Sequence, residues 1–419
     1  MTRAERAAVH LLALALALLI GGAAASALTA VRLTGSTPLL ALSLPSSAGL
    51  ASALLTCGLL SGLLGGGLLI ALDDRPGWRL SPVQIGAIRL WWVSALAYPA
   101  AWLLDLPLAS ALAGWVGIAA LIMMELVPSA PNRGLVVWRA GIGLVGIGLL
   151  LPALIAAILP GDVFTALIGG VIADGLRVYV GLPLASVALM FWLMHRFSTV
   201  TPVWAARGTR TCGGLIALAG AWLTLPGLAG FGAPDWMRTL IGVGGFIPPL
   251  AWAVVAAHTY AALVRSGMTT ARSTHWTALA ALLFLLGGLA GGLRALPGFA
   301  AWTAPALSDT LMTWGAAAVM LGALNQVSAA FGGRAARGGA LAPFWLVTGG
   351  ILIAVWALSM AYTAQTALEL GAGVGLAGSA GLIAPLRSLA LMGWMALALG
   401  IGWVGVGFWS RPLAALMEA

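Results

Sequence analysis

Twelve stretches of predominantly apolar residues follow one another along this chain, at about 7–31, 48–72, 84–104, 108–128, 135–159, 176–196, 211–231, 238–264, 275–298, 308–332, 341–366 and 381–409. Each is long enough to cross a bilayer, which takes ~20 apolar residues in a helix. Lipid offers no partner to a bare peptide group, so segments of this kind span as helices that satisfy their own backbone hydrogen bonds. The pattern therefore predicts an all-α, polytopic membrane protein of about twelve transmembrane helices, with residues 1–419 forming a single integral membrane domain. Composition agrees: 61% of the residues are hydrophobic and 7% charged, where a soluble domain carries roughly 25% charge. The first run, MTRAERAAVHLLALALALLIGGAAASA, has the basic start and Ala-x-Ala-like end of a signal peptide. Read as a membrane helix, it makes the count even.

Arginine orients the runs. All 20 basic side chains are arginine, and the formal net charge is +9. They sit singly or in pairs between apolar runs, as topology signals do, and form no basic stripe for nucleic acid. With the N-terminus inside, the inner connections hold Arg3, Arg6, Arg75, Arg79, Arg133, Arg196, Arg207, Arg210, Arg265, Arg272, Arg334, Arg337 and Arg411. The outer connections hold Arg32, Asp105, Asp162, Asp174, Asp235, Arg238, Arg294 and Glu369. Positive charge on alternate connections predicts both termini on the cytoplasmic side of a bacterial-type inner membrane.

Little in the runs can do chemistry. Ionisable groups inside a membrane are the default functional candidates, because burying them is costly. Of the histidines, His195 and His275 fall at helix ends and His10 near the N-terminus, whereas His258, in AVVAAHTYAALVRSG, falls well inside a run. Two roles stay open for His258: a hydrogen-bonded residue facing the bundle, or a ligand to haem or a metal. Asp105 and Glu125 lie near run ends, and Asn325 and Gln326 suit interhelical hydrogen bonds. Cys57 and Cys212 lie far apart in apolar surroundings and read as small buried hydrophobes. No phosphate loop or HExxH motif is present.

One stretch has shape without chemistry. Thr224–Trp236, TLPGLAGFGAPDW, carries turn-forming proline and glycine but only Asp235 as an ionisable group. Together with the residues before it, PVWAARGTRTCGGLIALAGAWLTLPGLAGFGAPDW (Pro202–Trp236) resembles the seventh helix of the haem–copper oxidase catalytic subunit. The nearest branch is the cbb-type oxidases, akin to nitric oxide reductase. The shared marks are Pro-Val at the start, an arginine soon after, and Pro-Asp-Trp at the end. GALNQVSAAFGGR (Gly322–Arg334) is similar to the end of that family's tenth helix, Ala342–Leu368 to the eleventh and Leu382–Trp409 to the twelfth. The resemblance covers roughly 176–409, with the Pro45 context matching in the second helix.

The resemblance also implies ligand positions. The two adjacent copper histidines of the seventh helix fall on Pro226 and Gly227, and the redox tyrosine on Ala206. The His-x-His pair of the tenth helix, which serves the two haems, falls on Leu307 and Asp309. The axial histidine of the second helix falls on Ser47, and the third copper histidine within 179–182. None of these positions is histidine. Haem iron and copper need imidazole or sulfur donors, so the expectation is a degenerate oxidase-like bundle that is not an enzyme and holds no metal. Its role would be structural, assembly-related or regulatory beside other respiratory-complex subunits, or binding of a small apolar ligand. Two alternatives are a haem-binding redox or nitric-oxide-response membrane protein using His258, and a small-molecule transporter. Pro and Gly breaks in ALAYPAAWLLDLPLA and GLLLPALIAAILPG favour the transporter.

Overall fold

The computed structural model describes residues 3–33, 44–75, 78–106, 108–127, 133–159, 161–197, 202–229, 234–265, 272–296, 299, 306–332, 341–373 and 376–409. Among these there is no β-strand. The helices are α1 (Arg3–Leu33), α2 (Leu44–Asp74), α3 (Pro82–Leu103), α4 (Ala109–Leu126), α5 (Arg133–Ile158), α6 (Val163–Asp174), α7 (Leu182–Phe197) and α8 (Pro202–Ala229). They continue as α9 (Asp235–Val243), α10 (Ile247–Arg265), α11 (Arg272–Ala295), α12 (Leu307–Gly332), α13 (Leu341–Ala372) and α14 (Leu376–Trp409). A π-helical segment, Gly175–Gly181, joins α6 to α7 without a break, and a 3-10 turn, Gly244–Phe246, joins α9 to α10.

Among the described residues, ten helical stretches are long and apolar enough to cross a membrane, counting α6 through α7 as one and α9 through α10 as one. The chain is a multi-pass membrane protein. The hairpin of α3 and α4 falls short of the same measure. Gln84, Arg89 and the tryptophans lower the hydropathy of α3, and the apolar stretch of α4, Ala111–Leu126, is short. Local chemistry nevertheless builds both. Pro82 opens α3 behind a capping box in which Gln84 N donates to Ser81 Oγ at 3.3 Å and Ser81 N donates to Gln84 Oε1 at 2.7 Å. Asp105, at a φ of 53°, turns the chain between the two helices. The Gln84 amide then donates to the Leu126 carbonyl, and Arg139 donates to that of Val127, so the end of α4 is satisfied from α3 and α5.

Two boundaries differ most from the sequence reading. The seventh run, expected at 211–231, starts at Pro202, so Arg207 and Arg210 lie inside α8 and not in an inner connection. The sixth run, expected at 176–196, starts at Val163, so Asp174 lies inside a continuous helix and not in an outer connection. Asp162 supplies the start, accepting from Thr165 N at 3.2 Å as an N-cap. These hydrogen bonds from Thr165, side chain first, hold the Asp162 carboxyl below its ordinary pKa.

Successive helices pack as neighbours, and α14 closes back on α1. Three segments form the centre: the span within α2 is 83% buried, that of α6–α7 83% and that of α12 78%, whereas those of α5, α8 and α13 are 33% buried. Helix α7 touches α2, α5, α8 and α12, and α12 also reaches α2, α11, α13 and α14. Glycine allows these close approaches, since helix association in lipid is driven by packing. Gly141 of α5 lies against the Gly181 carbonyl and the Ala185 amide. Trp138 of α5 reaches across Gly67 of α2 and donates its indole N–H to the Leu63 carbonyl at 2.8 Å. Large apolar side chains such as Trp345, Trp356, Leu399 and Val406 point outward from α13 and α14, as suits a lipid-facing surface.

Candidate functional site

The ends of the central helices line an open-mouthed cavity of about 400 Å³. Helix α1 lines it with Ser26 and Thr29, late in that helix, and α2 with Ala48, Ser52, Leu55 and Thr56, early in its own. The π segment contributes Asp174, which directly precedes it, and Arg177, while α12 contributes Asp309, Thr310, Thr313 and Trp314. Leu358 of α13 and Trp394 of α14 complete the wall. All three central segments thus meet at one end of the bundle, around a partly polar space.

The π segment explains the local geometry. It closes with Leu182 N–H donating to the Arg177 carbonyl, a five-residue step. Such bulges occur frequently at functional sites, because the extra residue re-aims neighbouring side chains. Here Arg177 pairs with Asp174 at 2.7 Å, the guanidinium 17% and the carboxylate 62% exposed. Two residues on, the Tyr179 hydroxyl donates to Asp309 Oδ1 and ties the π segment to the first turn of α12. Ionisable side chains within membrane-spanning segments are costly and rare, and this cluster brings three together, Asp174, Arg177 and Asp309.

Ser47, Leu307 and Asp309 come to this same end. Ser47 is fully buried in the residue position before Ala48 of the cavity wall. Asp309 lines the cavity, whereas Leu307, about 200° away around the helix axis, packs into the apolar core. Between them Ser308 is buried and donates to the Gly287 carbonyl at 2.8 Å. Pro226 and Gly227 do not line the cavity: they lie near the end of α8, where a Cβ on Gly227 would meet Val171 of α6 at 2.7 Å. Thr224 closes against Gly175 and Leu223 against Gly291, so α8 is packed directly onto its neighbours here. The side chain of Ala206 and residues 230–233 of the TLPGLAGFGAPDW stretch lie outside the described residues; Asp235 begins α9.

His258 is elsewhere. It sits toward the far end of α10, its ring 5.6 Å from that of Phe191 and its Nε2 beside Gly208, away from the cavity lining. The cysteines are both buried, as small hydrophobes. Among the described residues no three His, Cys, Asp or Glu side chains form a group that could hold a metal ion. The cavity wall offers carboxylate, hydroxyl, guanidinium and indole, but no imidazole, thiolate or thioether. This donor set does not fit haem iron or copper, which take nitrogen or sulfur axial ligands.

Arg177 carried no role in the sequence reading, and Tyr179 entered it only as the start of the 179–182 region matched to the third copper histidine. The available signal was ADGLRVYVG, in which Asp174 and Arg177 stand three apart inside apolar surroundings, a helical ion-pair spacing. With Asp174 assigned to a connection, that spacing had no helix to belong to. No known family model matches the chain, and no curated protein matches it.

Proposed function

We propose that this protein is a non-catalytic relative of the haem–copper oxidase catalytic subunit, built as a twelve-pass bundle, in which the space near the former haem-ligand positions serves as a binding site for a small amphipathic molecule. The observation that carries the reading is that Asp309, assigned as a ligand position from the sequence resemblance, lines a 400 Å³ cavity, with Ser47 buried next to Ala48 of the same wall, and that the wall lacks imidazole and sulfur. A space of this size falls within the roughly 300–1,000 Å³ of small-molecule sites. The close packing of Val171 on Gly227 and Thr224 on Gly175 supports the same reading, since side chains fill the region around the copper-ligand positions. A regulatory or assembly role beside respiratory-complex subunits follows from that ancestry. The purified protein is expected to show no stoichiometric haem or copper by visible absorption and metal analysis. A reduced spectrum with the bands of a bis-histidine haem, at one haem per chain, overturns the proposal.

The proposed topology places both termini in the cytoplasm, with α3 and α4 crossing as a hairpin despite the weaker hydropathy of α3 and the short apolar stretch of α4. Arg3, Arg6, Arg75 and Arg79 on one side support this orientation. Fusion of a reporter active only in the cytoplasm is expected to give signal at the C-terminus and at residue 79, and none at residue 105. Signal at residue 105 rules out the α3–α4 crossing.

A further inference from the structure

Three hydroxyls of the cavity wall have already committed their protons. A hydroxyl has one proton to donate and two lone pairs to accept with. Ser26 spends its proton on the Gly22 carbonyl at 2.9 Å, Thr29 on that of Ala25 at 2.9 Å and Thr310 on that of Ala306 at 2.7 Å. Their oxygens are left as acceptors. The one guanidinium of the wall, Arg177, is neutralised by Asp174. Asp309 takes its hydrogen bond from the uncharged Tyr179 hydroxyl, with the Arg294 and Arg177 guanidiniums acting on it as further charges. Two carboxyl groups and one guanidinium line the cavity. Two indoles, Trp314 and Trp394, stand on the same wall with ring centroids 5.8 Å apart. Indole faces attract cations, the more so where water is excluded.

We propose that the cavity selects a small organic cation, a protonated amine carried on a compact apolar body. The ammonium meets Asp309 and the hydroxyl oxygens, while the body lies among Leu55, Leu59 and the two indoles. An anion finds only a guanidinium already held by its own carboxylate. A neutral molecule gains the apolar contacts without the charge term. This inference rests on the reading of the cavity as a ligand site and adds the class of ligand.

Three probes of one size separate the two claims: phenethylammonium, 2-phenylethanol and 3-phenylpropionate, each titrated calorimetrically into the full-length protein in detergent. Phenethylammonium is expected to bind at least ~10-fold more tightly than the alcohol, the scale of one charge-assisted or cation–π contact, with the carboxylate weakest. Asp309→Asn is expected to abolish the preference while the alcohol binds as before. Trp394→Leu is expected to weaken the ammonium more than the alcohol. Equal affinity for ammonium and alcohol, or tighter binding of the carboxylate, overturns the cation assignment and leaves the ligand site standing. Binding of none of the three at millimolar concentration removes the ligand site as well. Should Asp309→Asn fail to fold, the comparison of the three probes on the native protein decides.

Discussion

Trp138→Ala is expected to lower the unfolding free energy by about 3 kcal/mol, near the bottom of the ~3–5 kcal/mol range for deleting a large buried aromatic. The bottom of the range applies because lipid is as apolar as the protein interior. Moving the ring from protein to lipid changes little, so the cost is chiefly the lost dispersion contacts and the space left behind. Trp138 has no solvent exposure, and its plane covers Gly67 of α2, which has no side chain to expand into the void. The indole N–H also loses its 2.8 Å bond to the Leu63 carbonyl. Trp138→Phe keeps most of the ring and is expected to cost less than half as much. Reversible unfolding in mixed micelles, followed by tryptophan fluorescence, measures both. A midpoint for Trp138→Ala equal to that of the native protein contradicts the packing described at the α2–α5 contact.

Gly141→Val is expected to do comparable damage by the opposite route. A Cβ on Gly141 meets the Ala185 amide at 2.5 Å, the Gly181 carbonyl at 2.7 Å and the Ala185 Cβ at 2.9 Å. Two of these atoms belong to the backbone, so no rotamer change relieves the contact, and α5 must move away from the π segment and α7. The loss is expected at or above the upper end of the ~1–3 kcal/mol usual for overpacking, with Gly141→Ala intermediate. Because α7 is a central helix, the displacement reaches α2 and α12 through it. Size-exclusion behaviour and the thermal midpoint in detergent report the effect. A Gly141→Val protein as monodisperse and as heat-stable as the native one shows that α5 does not make this approach.

The rods were legible in the sequence because their signal is local. The expected run at 135–159 became α5, Arg133–Ile158, and that at 308–332 became α12, Leu307–Gly332. The sixth run failed at its start for an identifiable reason. Asp162, Asp174 and the glycines between them suggest a connection, but Asp162 caps the helix and Asp174 finds Arg177 one turn on. The arrangement of the rods was not legible. Helices apolar on every side offer no stripe to mark the face that turns inward, so nothing in α2, α7 or α12 alone announces the centre. The site inherits that difficulty. Asp309 and Tyr179 are 130 residues apart and meet only when α12 and the π segment are packed together.

The π segment also fixes how the two halves of its rod relate. An α-helix advances about 100° per residue, so the extra residue held in Gly175–Gly181 puts α6 and α7 out of phase with each other. A stripe traced down α6 does not continue onto the same side of α7. The half bearing Val163, Phe164 and Leu167 turns those side chains outward, while the half bearing Leu184, Val187 and Phe191 is enclosed on all sides. One rod thus belongs to two environments, and its change of phase falls between Asp174 and Leu182, at the edge of the cavity.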